Sequence, residues 1–166
     1  MRNFELPGRS TVMAEKGAVA TSHPLATSAA LRVLQDGGNA VDAAVTAVLV
    51  LCVVEPQSVG IGGDMFALYA QGGARPVMGL NASGRSPQAA TFDAISAAFP
   101  GAQKPTRNHP HAVTIPGAVD GYLTLLERFG SWGIDRVIEP ALRYAEEGFP
   151  VYDRVRNDWR REVGLI

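Results

Sequence analysis

Gly37-Gly38-Asn39-Ala40-Val41-Asp42-Ala43-Ala44 opens a stretch that carries no further charge until Val54-Glu55-Pro56. Asn39 is suited to the N-cap of a helix, and Asp42, three residues on, places a carboxylate at the positive end of the helix dipole. From Ala43 to Val54 the helix is apolar on almost every side. Such a helix must be covered on more than one face, and it is too short to span a bilayer. Glu55-Pro56 ends it, because the residue before proline is steered out of the α region.

Working outward toward the N-terminus, Ser22-His23-Pro24 reads as another helix start, with Ser22 or His23 as N-cap and Pro24 at the first helical position. Leu25, Ala29, Val33 and Leu34 line one side of this helix, which stops at Gly37-Gly38. Gly17-Ala18-Val19-Ala20-Thr21 is short, small and apolar, as expected of a buried strand. Residues 1–15 read as an arm, and residues 16–166 as the incomplete N-terminal part of a larger domain. Met1 to Ser10 lacks the apolar core of a secretory signal, so the expected location is cytoplasmic.

Toward the C-terminus, Met65-Phe66-Ala67-Leu68-Tyr69-Ala70 and Pro76-Val77-Met78-Gly79-Leu80 read as two strands of a hairpin. Residues 81–112 read as loop, with a helical turn near Phe92 to Ala98. Val119, Tyr122, Leu123, Leu126 and Phe129 recur at helical spacing and predict an amphipathic helix from Gly117 to Gly130. A short turn over Asp135 to Ile138 then leads to Pro140, which opens a helix ending at Gly148. Val151, Val155, Trp159 and Val163 form a last stripe, and the chain reaches Ile166 without a cap.

The 166 residues predict about one domain at roughly 150 residues each. With 46% hydrophobic and 19% charged residues, and 15 basic against 16 acidic side chains, the chain has a formal charge of −1. That balance argues against a nucleic-acid-binding domain, which carries a basic excess. Eighteen Gly and 11 Pro follow no repeat, which removes collagen-like and low-complexity classes. The single Cys52 excludes an internal disulfide, and inside the apolar helix it reads as a small, inert core residue.

Several residues invite chemistry. Gly60, Gly62 and Gly63 resemble an anion-cradling loop, but the segment precedes a strand and fits neither a Walker nor a dinucleotide pattern. It reads instead as backbone that needs glycine for close packing or positive φ. His109-Pro110-His111 lies in a polar loop with no acidic cluster, so its histidines read as surface residues and His23 as a helix-start residue; no metal site is assigned. Glu146-Glu147 reads as solvent-facing. The arginines beside Trp159 alternate with Asp153, Asp158 and Glu162, as on a solvated helix face. No nucleophile elbow occurs.

Six local motifs in fixed order carry more information. Thr21-Ser22-His23-Pro24-Leu25-Ala26-Thr27 is followed by Gly37 to Ala44, Val54-Glu55-Pro56-Gln57-Ser58, Gly60-Ile61-Gly62-Gly63, Ile115-Pro116-Gly117-Ala118-Val119, and Glu139-Pro140-Ala141 through Ala145 to Val151. In this order they resemble the γ-glutamyltransferase (γ-glutamyltranspeptidase) family from about Gly17 to Val151. The resemblance implies an α/β (α+β) fold, the N-terminal-nucleophile hydrolase αββα sandwich, of which this chain is the first part of the large subunit.

It also implies a precursor that cuts itself, exposing a threonine that attacks a γ-glutamyl amide and uses its own α-amino group as base. The acyl group then passes to water, an amino acid or a peptide. That threonine belongs to the small subunit from the same precursor, so no catalytic residue is expected in this chain, and neither a cofactor, nor nucleic acid, nor a membrane is implied. A homo-oligomer is left open.

One large-subunit element is open to inspection: the family's arginine that holds the substrate α-carboxylate. In Leu80-Asn81-Ala82-Ser83-Gly84-Arg85-Ser86-Pro87 an ungapped match puts Ser83 in its place, with Arg85 two residues later. A guanidinium binds carboxylate in a bidentate fork, whereas serine offers a single donor. The substrate-binding candidates are therefore Arg85 and Ser83. The departure leaves room for a related acylase substrate, or for a non-catalytic binding module on the same scaffold.

Overall fold

A computed structural model describes residues 11–73, 75–101, 105 and 109–162. Its centre is helix α2 (Ala40–Val54), which packs against α1 (Pro24–Gln35), α4 (Ala118–Phe129) and α5 (Ile134–Glu147). The expected covering on several faces is present: Val41, Val45, Leu49, Val50 and Val54 are buried in the main core with Ala118, Tyr122, Leu126, Val137 and Ala141. Each fully buried valine contributes about 1.5–3 kcal/mol through removal from water. On another side of α2, Ala43 and Ala47 pack with Ala30 and Val33.

The caps follow the sequence. Asn39 accepts from the backbone N–H groups of Val41 and Asp42, and Asp42 returns a bond to the Asn39 N–H. This reciprocal box satisfies donors that every helix start leaves open. At α1 the cap is His23, whose Nδ1 accepts from the Leu25 N–H at 3.2 Å. Ser22 instead donates its hydroxyl to the buried Glu55 carboxylate, tying the start of α1 to the end of α2. Gly37, at φ 90°, turns the chain after α1.

Strands β1 (Met65–Tyr69) and β2 (Met78–Ala82) form an antiparallel pair, with Met65 opposite Ala82 and Tyr69 opposite Met78. Met65, Ala67 and Tyr69 are half-buried on the face toward α4, where the Tyr69 and Phe129 rings lie 4.6 Å apart. The opposite face leaves Phe66 and Leu68 65% and 85% exposed. Helix α3 (Phe92–Ala98) is capped by Thr91 and occupies the expected position in the long connection. Short 3₁₀ turns cover Gln71–Gly73 and Pro110–Ala112.

Four expectations need correction. Residues 17–21 do not form a strand; they are irregular and lie beside α1 and α2 with Val19 against the second core cluster. A strand requires a hydrogen-bonded neighbour, and the described sheet contains only β1 and β2. Strand β2 starts at Met78 rather than Pro76, which has no N–H to give the ladder. Helix α5 begins at Ile134 and runs through Pro140, its seventh residue, instead of opening there. Proline disfavours a helix interior, but Val137 and Ala141 on the same face are buried against α2 and hold the helix continuous. Finally, the expected C-terminal stripe is incomplete. In α6 (Asp153–Glu162) Val155 is buried and the Trp159 indole N–H donates to Gln57 at 2.8 Å, while Val151 precedes the helix and is 49% exposed.

Val163 and the uncapped end at Ile166 lie outside the described residues, as do the first ten residues of the expected arm. Among the described residues no helix is long and apolar enough to cross a membrane.

Candidate active site

The two candidate residues sit on the segment leaving β2, which is zipped to the segment entering α4. Ser83 donates its N–H to the Asn81 side chain at 3.0 Å, and its carbonyl accepts from the Thr114 hydroxyl at 2.8 Å. The Ile115 N–H donates to the Arg85 carbonyl at 2.9 Å. Between them Gly84 takes φ 79°, and a Cβ there would sit 1.7 Å from the Ile115 carbonyl oxygen. Gly117 is also confined, since a Cβ there would sit 2.5 Å from the Ala82 carbonyl oxygen. No side chain fits at either point, so glycine is what lets the two segments meet.

Their meeting forms a pocket of about 510 Å³ lined by Asn81, Ser83, Arg85, Ile115, Asp120 and Thr124, among others. Ser83 is half-buried and Arg85 is exposed. Arg85 forms no ion pair among the described residues, so its guanidinium is free to take an external anion. The structure therefore brings Ser83 and Arg85 to one cavity, with Arg85 as the stronger anion-binding group.

The glycine loop supports this pocket differently from the sequence expectation. The Gly63 carbonyl accepts from the N–H groups of Gly117 and Ala118, at 3.2 and 3.1 Å, and thereby caps the start of α4. Gly60, Gly62 and Gly63 do not adopt positive φ. A Cβ at Gly60 or Gly62 would meet nothing within 4 Å, and one at Gly63 would make an ordinary contact. The expectation of a packing or positive-φ requirement is thus corrected: within the described residues this loop is exposed. Its contribution here is an acceptor, not a ring of donors for phosphate.

The remaining candidates fall elsewhere. His109 is half-buried and His111 exposed, their rings are stacked with centroids 5.1 Å apart, and the His109 Nδ1 accepts the His111 N–H. Among the described residues no cluster of three or more potential metal ligands occurs. Glu146 and Glu147 are exposed, and Arg154, Arg156 and Arg161 of α6 form short-range pairs such as Arg154 with Asp158 at 3.0 Å. Such exposed pairs are worth about 0.3–0.5 kcal/mol.

Cys52 is half-buried, and burial pushes its thiol up. The buried Tyr122 phenol is pushed up to about 12, first by burial, then by neighbouring Cys52 and Asp64. Both stay protonated at neutral pH, which suits core packing rather than nucleophilic attack.

His23 is more than a helix-start residue. It is 1% exposed, packs edge-on against Tyr152 with centroids 4.8 Å apart, and leaves Nε2 without a hydrogen-bond partner. Asp120, which directly follows the Ile115 to Val119 motif and lies outside it, also lines the pocket.

This arrangement of helices and hairpin matches solved N-terminal-nucleophile hydrolases. The crystal structure of Helicobacter pylori gamma-glutamyltranspeptidase superposes with a TM-score of 0.83 at 28% identity, covering 92% of this chain and 44% of that one. Cephalosporin acylase from Bacillus halodurans gives 0.79 at 36% identity, covering 96% of this chain and 30% of that one. In sequence, the glutathione hydrolase-like YwrD proenzyme of Bacillus subtilis (strain 168) is 39% identical over 141 residues, 85% of this chain and 26% of that protein.

The family profile described as Gamma-glutamyltranspeptidase matches residues 26–166. The fold is that of the N-terminal-nucleophile hydrolases, here as a helix-rich α+β portion. The chain belongs to the gamma-glutamyltranspeptidase family. It spans about a quarter of the length of the curated relatives it matches.

Proposed function

We propose that the protein carrying this chain is a γ-glutamyltransferase-like threonine enzyme that transfers a γ-glutamyl group from glutathione or another γ-glutamyl amide to water, an amino acid or a peptide. Residues 16–166 form the N-terminal part of its large subunit. The nucleophilic threonine, exposed by self-cleavage, stands on the small subunit of the same precursor. The observation that carries this reading is the pocket between the β2 exit and the α4 entrance, where Arg85, in no ion pair among the described residues, lines a cavity of about 510 Å³.

In this reading Arg85 donates two parallel N–H bonds to the carboxylate of the acyl substrate. The Ser83 hydroxyl adds one weaker donor beside it. Together they fix the far end of the acyl group, so that its amide carbonyl meets the nucleophile in a reproducible position. A second reading, a related acylase, is favoured by Ser83 standing where the family resemblance places arginine, and by the cephalosporin acylase relative.

The full-length protein incubated with γ-glutamyl-p-nitroanilide tests the proposal. Release of p-nitroaniline, together with two bands of unequal size on a denaturing gel, is the expected result. An uncut protein that releases nothing would identify a non-catalytic scaffold instead.

A further inference from the structure

A second charged cavity lies between α5 and the end of α1, and it shares no lining residue with the one that holds Arg85. It measures about 500 Å³, and its lining includes Arg32, Asp36, Trp132, Arg136, Glu139 and Arg143. Trp132 is half-buried against both core clusters, so its ring is a fixed platform. The Arg136 guanidinium carbon stands 3.3 Å from the centroid of that ring. Stacking of this kind holds the cation over the ring face and leaves its in-plane N–H groups for an acceptor.

On α5, Arg136 and Arg143 are seven residues apart, about two helical turns, and therefore share a side of the helix with Glu139 between them. Among the described residues neither arginine forms an ion pair, and neither does Glu139. Across the cavity Arg32 meets Asp36 only at 3.8 Å, with both side chains largely exposed, which makes that pair weak. Three guanidinium groups thus face two carboxylates, and the concave shape concentrates the positive excess. An oxyanion entering between Arg136 and Arg143 supplies the acceptors that neither obtains from the chain.

We propose that this cavity binds a multiply charged oxyanion, a phosphate or a polycarboxylate, through Arg136 and Arg143, with Trp132 holding Arg136 in place. The site goes beyond the acyl-transfer reading and does not depend on it.

Isothermal titration calorimetry of the full-length protein tests the site, with inorganic phosphate and citrate as separate probes at an ionic strength held constant by sodium chloride. Saturable binding with a Kd of about 1 mM or tighter is expected for at least one probe, and the tighter of the two identifies the oxyanion that the cavity suits. Arg136→Gln and Arg143→Gln should each weaken binding about tenfold or more, the scale of a hydrogen bond to a charged group. Arg136→Lys keeps the charge but not the flat fork on Trp132, and should recover only part of the affinity. Glu139→Gln removes a repelling carboxylate and should tighten binding. Arg85→Ala, in the other cavity, and Arg156→Gln, an equal loss of charge on α6, should leave the Kd unchanged. Thermal unfolding without added probe checks the fold of every variant.

No saturable binding of either probe would overturn the proposal. So would binding that survives both Arg136→Gln and Arg143→Gln, or that Arg85→Ala or Arg156→Gln weakens to the same extent.

Discussion

The Asp42 carboxylate accepts both the backbone N–H and the hydroxyl of Ser131, 89 residues away. It also accepts the Trp132 N–H at 3.2 Å, while the Asn39 amide donates to the Phe129 carbonyl at 2.7 Å. One helix start thereby holds the whole turn between α4 and α5, and with it the far end of the helix whose near end lines the candidate pocket. Replacing Asp42 with Ala leaves several buried donors unpaired, and the expected loss is about 3 kcal/mol or more in urea unfolding. Asp42→Asn keeps the shape but not the charge, and about 2 kcal/mol is expected. A loss under 0.5 kcal/mol for either variant, roughly the scale of a surface substitution, would show that this turn is held by other contacts.

Acid sensitivity follows from two groups with separate windows. Burial pushes the Asp42 carboxyl up, but the donors from Ser131, Asn39 and Trp132 outweigh it and hold the group below its usual 3.8. Stability from Asp42 is therefore present above 3.8 and is lost as pH falls through the folded value. For His23, burial lowers the imidazole below 6.5 and the Glu55 carboxylate opposes this in part. The unfolded chain then binds the proton more readily, so stability is intact above 6.5 and declines as pH falls from there through the folded value. Protonation also converts Nδ1 from acceptor to donor, which breaks the cap on Leu25. In His23→Asn, which retains a capping acceptor without titrating, the melting temperature should be flat between pH 7 and roughly 5, where the wild type falls. Parallel profiles would show that His23 does not contribute to the acid sensitivity.

Glycine substitutions separate strain from collision. Gly72 lies at φ 60° with open space where a Cβ would stand, so Gly72→Ala should cost only about 1–2 kcal/mol of backbone strain. Gly84→Ala adds a collision with the Ile115 carbonyl to a similar strain, and a loss above about 3 kcal/mol is expected. Thermal unfolding of the two variants side by side distinguishes them. Equal shifts would mean that the β2 exit and the α4 entrance are not locked together.

The outer face of the hairpin gives a prediction for the 166-residue chain by itself. Phe66 and Leu68 are 65% and 85% exposed on one face of β1. Exposed apolar area on a strand face favours association. Size-exclusion chromatography should show species larger than a 17.6 kDa monomer, and the double change Phe66→Ser, Leu68→Ser should shift them toward monomer. A wild-type chain that elutes as a monomer would contradict this.

Local signals in the sequence carried the helices well. Asn39 with Asp42, Pro24 after His23, and the spacing from Val119 to Phe129 each specify an element through contacts within a few residues. Where long-range packing competes with local preference, reading failed: Pro140 resembles a helix start until Val137 and Ala141 are seen buried against α2. The segment 17–21 has strand-like composition but no ladder partner among the described residues. Asp42 showed its cap in the sequence, but not its bonds to Ser131, which no local pattern encodes. The Arg85 position draws notice only through the family resemblance, whereas the hold of the Gly63 carbonyl on the Gly117 N–H is a long-range bond that no local pattern encodes.

Kinetics of the full-length Arg85→Ala variant with γ-glutamyl-p-nitroanilide test whether this chain anchors the carboxylate of the acyl donor. Loss of a bidentate charged contact should raise KM by roughly tenfold or more, with self-cleavage into two subunits unaffected. An unchanged KM in a normally processed enzyme would contradict the claim.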